Sequence, residues 1–411
     1  MRGPLDLLRV GASGMRAHKF GTQVASNNVV NVQTPGYSRR SAELEQVLHG
    51  PRPPGNGVRA SGQRRMTDDF VEARLLSARS DMGAALGKSE ALEAYDRIFA
   101  DTDAHLGEAL SQFEASLQDL SANPGDRSVR GVVLARADQL AQSFNRAAND
   151  FSAARSDIDG RIEAAVDEVN AKLTEISDLS VEIRRIEAID GDALALRDQR
   201  DEAVRELSEH IPVRGLDGKN GAFRLLLDGG RPLIDTDHTV NPLVAERDSA
   251  TGDMQVRHVA SGLSHDMTGS LERGRIGGLL QARDDSLTAA QSDLDELAFA
   301  VAEAYNNVHQ GGVGLDGAGG RNLFTPPGAV ADSAQNFSLD AAMVGAPENI
   351  GAAADAAALT GDNRVALDLV ALSESPIALG GQASAMDALT GLVAKTGTDL
   401  QGAKQDSEFL T

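Results

Sequence analysis

The longest regular pattern of apolar positions in this chain runs from Val133 to Ile183. Apolar residues recur there at alternating steps of four and three, which is the heptad spacing of a coiled-coil helix. Two extra steps of four near Ile162 form a stutter that locally relaxes the supercoil. The pattern predicts one helix roughly 75 Å long at 1.5 Å per residue, with a break at Gly160 as the alternative. The apolar positions are Val133, Ala137, Leu140, Phe144, Ala147, Phe151, Ala154, Ile158, Ile162, Val166, Val169, Leu173, Ile176 and Ile183.

A second, shorter seam with 3-4-3 spacing lies near the N-terminus and consists of Leu5, Leu8, Ala12 and Met15. Three glycines interrupt the same segment, and each costs about 1 kcal/mol relative to Ala inside a helix. A short helix weakened in this way is not stable alone and needs partners. We therefore expect a terminal helix that is disordered in the free monomer and becomes ordered on assembly.

The pattern changes to strand-like alternation between Pro212 and Met267. Phe223, Leu225 and Leu227 alternate with their neighbours there, and the turn pairs Asp217-Gly218 and Asp228-Gly229 are typical of hairpins. Short extended pieces are also predicted after Tyr37 and at residues 56–66. Further helices are predicted at about Asp68–Phe99, Leu106–Leu120, Ala193–Ile211, Ile276–Val308, Asn363–Leu372 and from Met386 onward.

These elements predict a mainly α fold with a β insertion. We expect an elongated, multi-domain protein with a long coiled-coil-like helical domain and a small antiparallel β domain. The predicted segments are 1–60 (axial helix and turn), 61–211 (helical domain, first part), 212–268 (β domain), 269–310 (helical domain, return), 311–362 (irregular Gly/Ala-rich insertion) and 363–411 (helical domain, C-terminal part).

The most specific local signal lies between Ala25 and Arg39, which reads Ala-Ser-Asn-Asn-Val-Val-Asn-Val-Gln-Thr-Pro-Gly-Tyr-Ser-Arg. Asparagine side chains compete for backbone hydrogen bonds and favour helix ends and turns. Pro35 moves Thr34 out of the helical region, and Gly36 permits positive φ. A tight turn is therefore predicted at Thr34–Tyr37. The motif residues are Asn27, Asn28, Asn31, Thr34, Pro35, Gly36 and Tyr37.

This motif resembles the Asn-Asn-x-x-Asn-x-x-Thr-x-Gly-Tyr motif of the bacterial flagellar axial proteins, which comprise rod, hook and hook–filament junction subunits. Four later segments resemble the junction subunits in the same order. They are Leu196–Glu202, Gly277–Asp284, Phe299–Asn307 followed by Gly311 and Asp316, and Gly361–Leu367. A rod or hook subunit is the alternative within the family, although the long Val133–Ile183 helix favours a junction subunit.

The resemblance implies a non-enzymatic structural protein that is secreted by the flagellar export apparatus and located in the extracellular flagellum. The implied partners are further copies of the chain in a ring, the hook protein and a second junction protein. Family members carry a final helix that pairs with the N-terminal helix and is bound by an export chaperone. We expect that helix to be missing after Thr411, and we therefore expect no chaperone binding.

Composition limits the binding partners, the cysteine chemistry and the type of core that the chain can have. The net charge of −22 opposes binding to nucleic acid and to anionic membranes. No apolar run approaches the length of a membrane span, and no secretory signal is recognisable at the N-terminus. The absence of cysteine excludes disulfides and thiolate chemistry. Aromatic residues make up only 3%, so we expect Ala, Leu, Ile and Val seams rather than a large aromatic core.

No catalytic, cofactor or metal site is predicted. Residues Gly312–Gly317 match Gly-x-Gly-x-x-Gly, but a dinucleotide site requires a preceding strand and a following helix. The histidines are not clustered, and we interpret the charges of Arg197–Glu202 as salt bridges on a solvated helix face. The alternatives left open are a soluble nucleotide-binding enzyme that uses the glycine loop and a secreted coiled-coil effector or adhesin.

Overall fold

The computed structural model describes residues 4–47, 57–189, 192–218 and 221–410, without the side chains of 4–6, 96–104 and 410. The helices are α1 (Pro4–Val30), α2 (Asp69–Ala122), α3 (Arg127–Glu187), α4 (Leu194–His210), α5 (Gly274–Gln281), α6 (Thr288–His309), α7 (Arg364–Ala371) and α8 (Ala385–Leu410). The strands are β1 (Arg40–Gln46), β2 (Val58–Arg65), β3 (Val213–Asp217), β4 (Phe223–Leu227), β5 (Pro232–Ile234), β6 (Leu243–Arg247), β7 (Met254–Ala260) and β8 (Leu263–Asp266).

The chain divides into two compact units that are both discontinuous in sequence. Unit 1 contains Met1–Ala84 and Ile162–Gly277, and unit 2 contains Ala85–Arg161 and Gly278–Phe409. All eight strands lie in unit 1. The strands β3–β8 fall within the segment 212–268 that was assigned to the β domain, and the boundaries of the predicted segments remain a prediction.

The long apolar seam is confirmed as the buried stripe of α3. All of its predicted positions from Val133 to Ile183 are at most 5% exposed. The helix continues through Gly160, which is exposed and has open space where a Cβ would stand. The seam residues up to Ile158 pack in unit 2 and those from Ile162 pack in unit 1.

The region before α3 differs from the prediction. Two helices were expected between Asp68 and Leu120, whereas α2 is a single helix that ends at Ala122. Asp68 caps its start, because its carboxylate accepts hydrogen bonds from the amides of Phe70 (2.9 Å) and Val71 (3.3 Å). The apolar spacing changes in mid-helix, but the chain there lacks a proline that would end the helix.

The sheets of unit 1 are small and antiparallel. β1 and β2 form a two-stranded ribbon, and the other strands form two three-stranded sheets in the orders β3-β4-β5 and β6-β7-β8. The predicted alternation in β4 is confirmed, since Phe223, Leu225 and Leu227 are buried. The ribbon confirms the two extended pieces expected after Tyr37 and near residues 56–66. The proline-rich segment 51–55 between these two pieces, whose composition predicts a stiff connector, lies outside the described residues.

Two polar side chains of α3 hold the sheets of unit 1. Asn170 donates its amide to the carbonyl of Leu243 at 2.7 Å and accepts the Leu243 N–H at 3.0 Å. Ser177 donates to the carbonyl of His238 at 2.8 Å. These bonds satisfy backbone groups at the start of β6 and in the β5–β6 connection, which would otherwise lose hydrogen bonds on burial.

Unit 2 contains an aromatic cluster that the composition did not indicate. Phe113 lies 5.1 Å from Tyr305 and 5.8 Å from Phe324 between ring centroids. Phe337 lies 4.7 Å from both Phe324 and Phe144. The expectation of Ala, Leu, Ile and Val seams rather than a large aromatic core is therefore wrong for unit 2, because five of its aromatic side chains pack together.

The helix predicted over Ile276–Val308 contains a π-helical segment at Ala282–Leu287. Within it, the buried Arg283 pairs with Asp159 at 2.6 Å and with Asp284 at 2.7 Å. A buried guanidinium must be paired, since an isolated charge would lose its hydration without compensation. The altered helix repeat places Arg283 inside unit 2, where these two carboxylates reach it.

Side chains at the end of α6 hold the irregular segment after it. Asn306 accepts the amides of Leu323 and Phe324, both at 2.9 Å. His309 accepts the Gly351 N–H on Nε2 at 2.9 Å, so its Nδ1 carries the proton and donates to the Arg321 carbonyl at 2.7 Å. Both nitrogens are used only when the imidazole is neutral, and burial lowers the pKa of His309.

We expect His309 to make unit 2 acid-sensitive. Its contribution to the free energy of unfolding is complete above about pH 6.5, the ordinary histidine pKa. The contribution falls below that pH, because the unfolded chain takes up the proton first. Thermal unfolding of the wild type and of His309→Gln at pH 7 and pH 5 checks this, with exposed His265→Gln as control. The wild type and the control should lose more stability on acidification than His309→Gln, and equal losses in all three would contradict the expectation.

Candidate functional site

The predicted turn follows directly after α1. Asn27 and Asn28 lie in the last turn of the helix, and the Tyr37 amide donates to the Thr34 carbonyl at 3.2 Å. Gly36 has φ +74°, a backbone conformation that glycine adopts without strain. This hydrogen bond and a positive φ at the third residue are typical of a type II turn. The turn at Thr34–Tyr37 is therefore confirmed.

Asn28 joins the end of α1 to the start of β1. Its Nδ2 donates to the Arg40 carbonyl at 2.8 Å, and its Oδ1 accepts the Arg40 N–H at 2.9 Å. The same oxygen accepts the hydroxyl of Tyr37 at 2.9 Å. One side chain thus fixes both backbone groups of Arg40 and the orientation of Tyr37.

The neighbouring asparagines act more locally. Asn31 donates to the carbonyl of Asn27 at 2.9 Å and receives the hydroxyl of Thr34 at 3.3 Å. Asn27 itself is exposed at the surface. Asn28 is therefore the member of the asparagine set that ties separate elements together.

Buried ion pairs connect this motif to α4. Arg40 lies 3.2 Å from one oxygen of Asp198, and Arg65 of β2 lies 2.8 Å from the other. Arg65 also pairs with Asp201 and donates to the Ser38 hydroxyl at 3.2 Å. Asp198 is only 6% exposed, so its charge depends on these two guanidinium groups. We call Asn28, Tyr37, Arg40, Arg65 and Asp198 the N-terminal node.

The charged run on α4 is not a solvated face, and that interpretation is wrong. Arg200 is completely buried, lies 4.0 Å from the centroid of the Phe223 ring and pairs with Asp217 at 2.8 Å. Arg197 pairs with Glu187 at 2.7 Å. The run therefore binds other segments of unit 1 instead of pairing mainly within its own helix.

A groove of about 800 Å³ lies between the motif and the helices α3 and α4. All motif residues except Asn28 line one side of it. Glu175, Glu202 and Glu206 line the other. Lys172 donates hydrogen bonds to the carboxylates of Glu206 and Glu175, and these bonds raise the pKa of Lys172. A Cβ placed on Gly36 would stand 3.2 Å from the Cβ of Glu202. The motif and α4 are thus in close contact beside the groove.

The predicted seam of α1 is not buried within the chain. Leu8 and Met15 are 68% and 71% exposed, Ala12 is half-buried, and the side chain of Leu5 lies outside the described residues. The inward-facing residues are Ala17 and Val24, which sequence analysis did not select although they are seven residues apart. Ser13 accepts the amide of Val58 at 3.1 Å, so a different face of α1 packs on the ribbon.

Sequence analysis also missed Arg40, Arg65 and Asp198 as a group. Arg40 and Asp198 are 158 residues apart, and no local spacing indicates such a pair. The available signal was that the motif and the Leu196–Glu202 segment both resemble one family, since segments that share such a resemblance can meet in space.

The glycine loop lacks the surroundings of a dinucleotide site. Among the described residues it follows α6 directly, and it opens an irregular segment rather than a helix. A Cβ on Gly312 would stand 2.6 Å from the carbonyl oxygen of Gly351. These glycines therefore permit a close approach of two backbone segments.

No helix among the described residues is long and apolar enough to cross a membrane. No group of three or more His, Cys, Asp or Glu side chains in the described part of the chain is arranged to hold a metal ion.

Comparisons with known proteins agree with the architecture. The chain is 26% identical to flagellar hook-associated protein 1 of Escherichia coli over 78% of its length, and it spans only 60% of that relative. It is 25% identical to the Bacillus subtilis protein of the same name over 97% of its length, covering 86% of that relative.

A solved structure supports the fold class. The flagellar hook junction protein FlgK from Burkholderia pseudomallei superposes with a TM-score of 0.73, covering 82% of this chain and 97% of that chain at 16% identity. A mainly helical fold with small antiparallel sheets is thereby confirmed. The family described as the helical domain of flagellar hook-associated protein FlgK matches residues 92–324, more than half of the sequence. The chain belongs to the flagellar hook-associated protein FlgK family.

Proposed function

We propose that this chain is a structural subunit of the bacterial flagellum that forms the junction between hook and filament and is needed for filament assembly. The observation that carries the proposal is the N-terminal node. It holds the end of α1 through buried hydrogen bonds and ion pairs. The Leu8 and Met15 side of the same helix remains exposed. A helix that is fixed at one end and apolar on its free side is suited to pack against other subunits.

The proposed partners are further copies of the chain, the hook protein and a second junction protein. The names of the relatives support this, since they describe a hook-associated protein and a hook junction protein. We also propose export through the flagellar apparatus and a final location in the extracellular flagellum.

We infer that the protein acts through its surfaces and not as an enzyme. The carboxylates of Asp198 and of its neighbour Asp201 support this inference, because guanidinium groups hold both in ion pairs. Neither the surroundings of Gly312–Gly317 nor the relatives favour the nucleotide-binding enzyme or the effector.

Deleting the gene in its host bacterium tests the proposed function directly. We expect cells with hooks but without filaments, and export of filament subunits into the medium. Immunogold labelling of a complemented strain should mark the hook–filament boundary. Normal filaments in the deletion strain would exclude the proposed role.

Replacing Gly36 by Val should block assembly while the chain remains folded. A β-branched residue strains the positive φ of the turn, and its Cβ also meets Glu202. The measurement is filament formation in the deletion strain, with circular dichroism of the purified variant. Gly36→Asn is the matched control, since Asn tolerates this φ but carries the same Cβ. If Gly36→Val restores filaments as well as the wild type does, the turn has no part in assembly.

Glutamate at Leu8 or Met15 should prevent incorporation without lowering the stability of the free chain. Both side chains are exposed, so the charge is harmless until a partner must bury it. Junction incorporation and the thermal midpoint are compared with those of Leu263→Glu, a similarly exposed leucine on β8 (63%). Normal incorporation of both α1 variants would show that this face of the helix is not part of the interface.

A further inference from the structure

The strand β3 has one open edge. In the order β3-β4-β5 it pairs only with β4, with Val213 opposite Leu227 and Asp217 opposite Phe223. The Asp228 amide donates to the Pro212 carbonyl at 3.0 Å, and Gly218 donates to Ala222 at 2.7 Å. These bonds show which residues of β3 point their backbone groups towards β4.

Backbone direction alternates along an antiparallel strand. Pro212 and Gly218 pair with β4, so Arg214 and Leu216 between them do the same. Val213, Gly215 and Asp217 therefore direct their N–H and C=O groups away from the sheet. Within the described part of the chain, no strand or loop is bonded to these outward groups. The N–H and C=O groups of these three residues are therefore available for hydrogen bonds to an added strand.

A cleft follows this edge on the side of α2. It consists of two adjoining cavities of about 260 and 300 Å³ that share Ala73, Leu76 and Arg214. Residues 212–217 all line it. The lining therefore includes the residues of β3 that bond to β4 and those whose backbone groups point away from it. The lining also includes Phe223, Leu226 and Leu227 of β4, so the cleft reaches over the sheet as well as along the edge of β3.

One of the arginines that line the cleft has no ion-pair partner among the described residues. Arg214 is exposed and makes no ion pair with any described residue, whereas Arg200 and Arg273, which also line the cleft, pair with carboxylates. Leu216 shares the outer face of β3 with Arg214 and is 40% exposed. A strand that pairs here is favoured by an acidic residue opposite Arg214 and an apolar residue opposite Leu216.

We propose that the edge of β3 binds an extended segment of another polypeptide, antiparallel to β3, with an acidic residue opposite Arg214 and apolar residues around it. The segment adds a fourth strand to the β3-β4-β5 sheet. Backbone hydrogen bonds to Val213, Gly215 and Asp217 supply affinity, and Arg214 selects the charge. This inference is independent of the proposed junction function.

The probe is the synthetic peptide acetyl-Val-Leu-Val-Glu-Val-amide, titrated into the full chain. Hydrogen exchange should slow at Val213, Gly215 and Asp217 and stay unchanged at Arg214 and Leu216, which already pair with β4. Methylating the three valine nitrogens should weaken binding at least about tenfold, because it removes donors to the edge. Equal binding of the methylated peptide would overturn strand addition.

Variants of the chain test the charge preference. Arg214→Glu should lose at least about tenfold in affinity for the glutamate peptide and should prefer the same peptide with lysine in place of glutamate. Leu216→Lys should weaken binding. Val244→Lys is the matched control, since Val244 is equally exposed (40%) on an edge strand of the other sheet, and it should bind as the wild type does.

Two results would overturn the proposal outright. One is an unchanged peptide preference in Arg214→Glu. The other is no binding of the glutamate peptide to the wild type at about 1 mM, which would mean that Arg214 and Asp217 keep strands away from this edge.

Discussion

The buried carboxylate of Asp198 is the constraint on which the N-terminal part of unit 1 depends. A charge at this depth is stable only with cationic partners, and Arg40 and Arg65 supply them from the two strands of the ribbon. Asn28 then holds Arg40 by both backbone groups, so the end of α1, the ribbon and α4 share one set of bonds. Removing Asn28 takes away the partner of both backbone groups of Arg40, and removing Arg40 or Arg65 leaves Asp198 with one guanidinium partner instead of two. The motif is therefore maintained by α4 as much as by its own turn.

Local signals in the sequence predicted local structure well. The α3 seam, the turn at Gly36 and the alternation in β4 each depend on neighbouring residues, and each is found as expected. Contacts between distant residues were not predictable in this way. Arg40 and Asp198 are too far apart in the sequence for any local spacing to indicate their pairing. The charged run of α4 has the composition of a solvated face, although its Asp198 and Arg200 are buried. Contacts with residues that are distant in the sequence determine which of these charges are buried.

The predicted seam of α1 shows a second limit of what the sequence pattern can predict. Leu8 and Met15 have heptad spacing, yet the chain packs Ala17 and Val24 instead. Small side chains allow α1 to lie close to the ribbon, whereas the larger ones are left for a surface that a single chain does not cover. Periodicity identifies an apolar face, but it does not say which molecule buries that face.

The discontinuity of the two units has a consequence for folding. Unit 1 cannot be completed before the chain beyond Ile162 is present, and unit 2 needs the chain beyond Gly278. Each must therefore close a long loop before its tertiary contacts are gained, and contacts of such high sequence separation slow folding. During synthesis, or during any passage that releases the N-terminus first, α2 and the early half of α3 emerge before the segments beyond Gly278 that complete unit 2. Their folding is thus tied to the arrival of the last third of the chain.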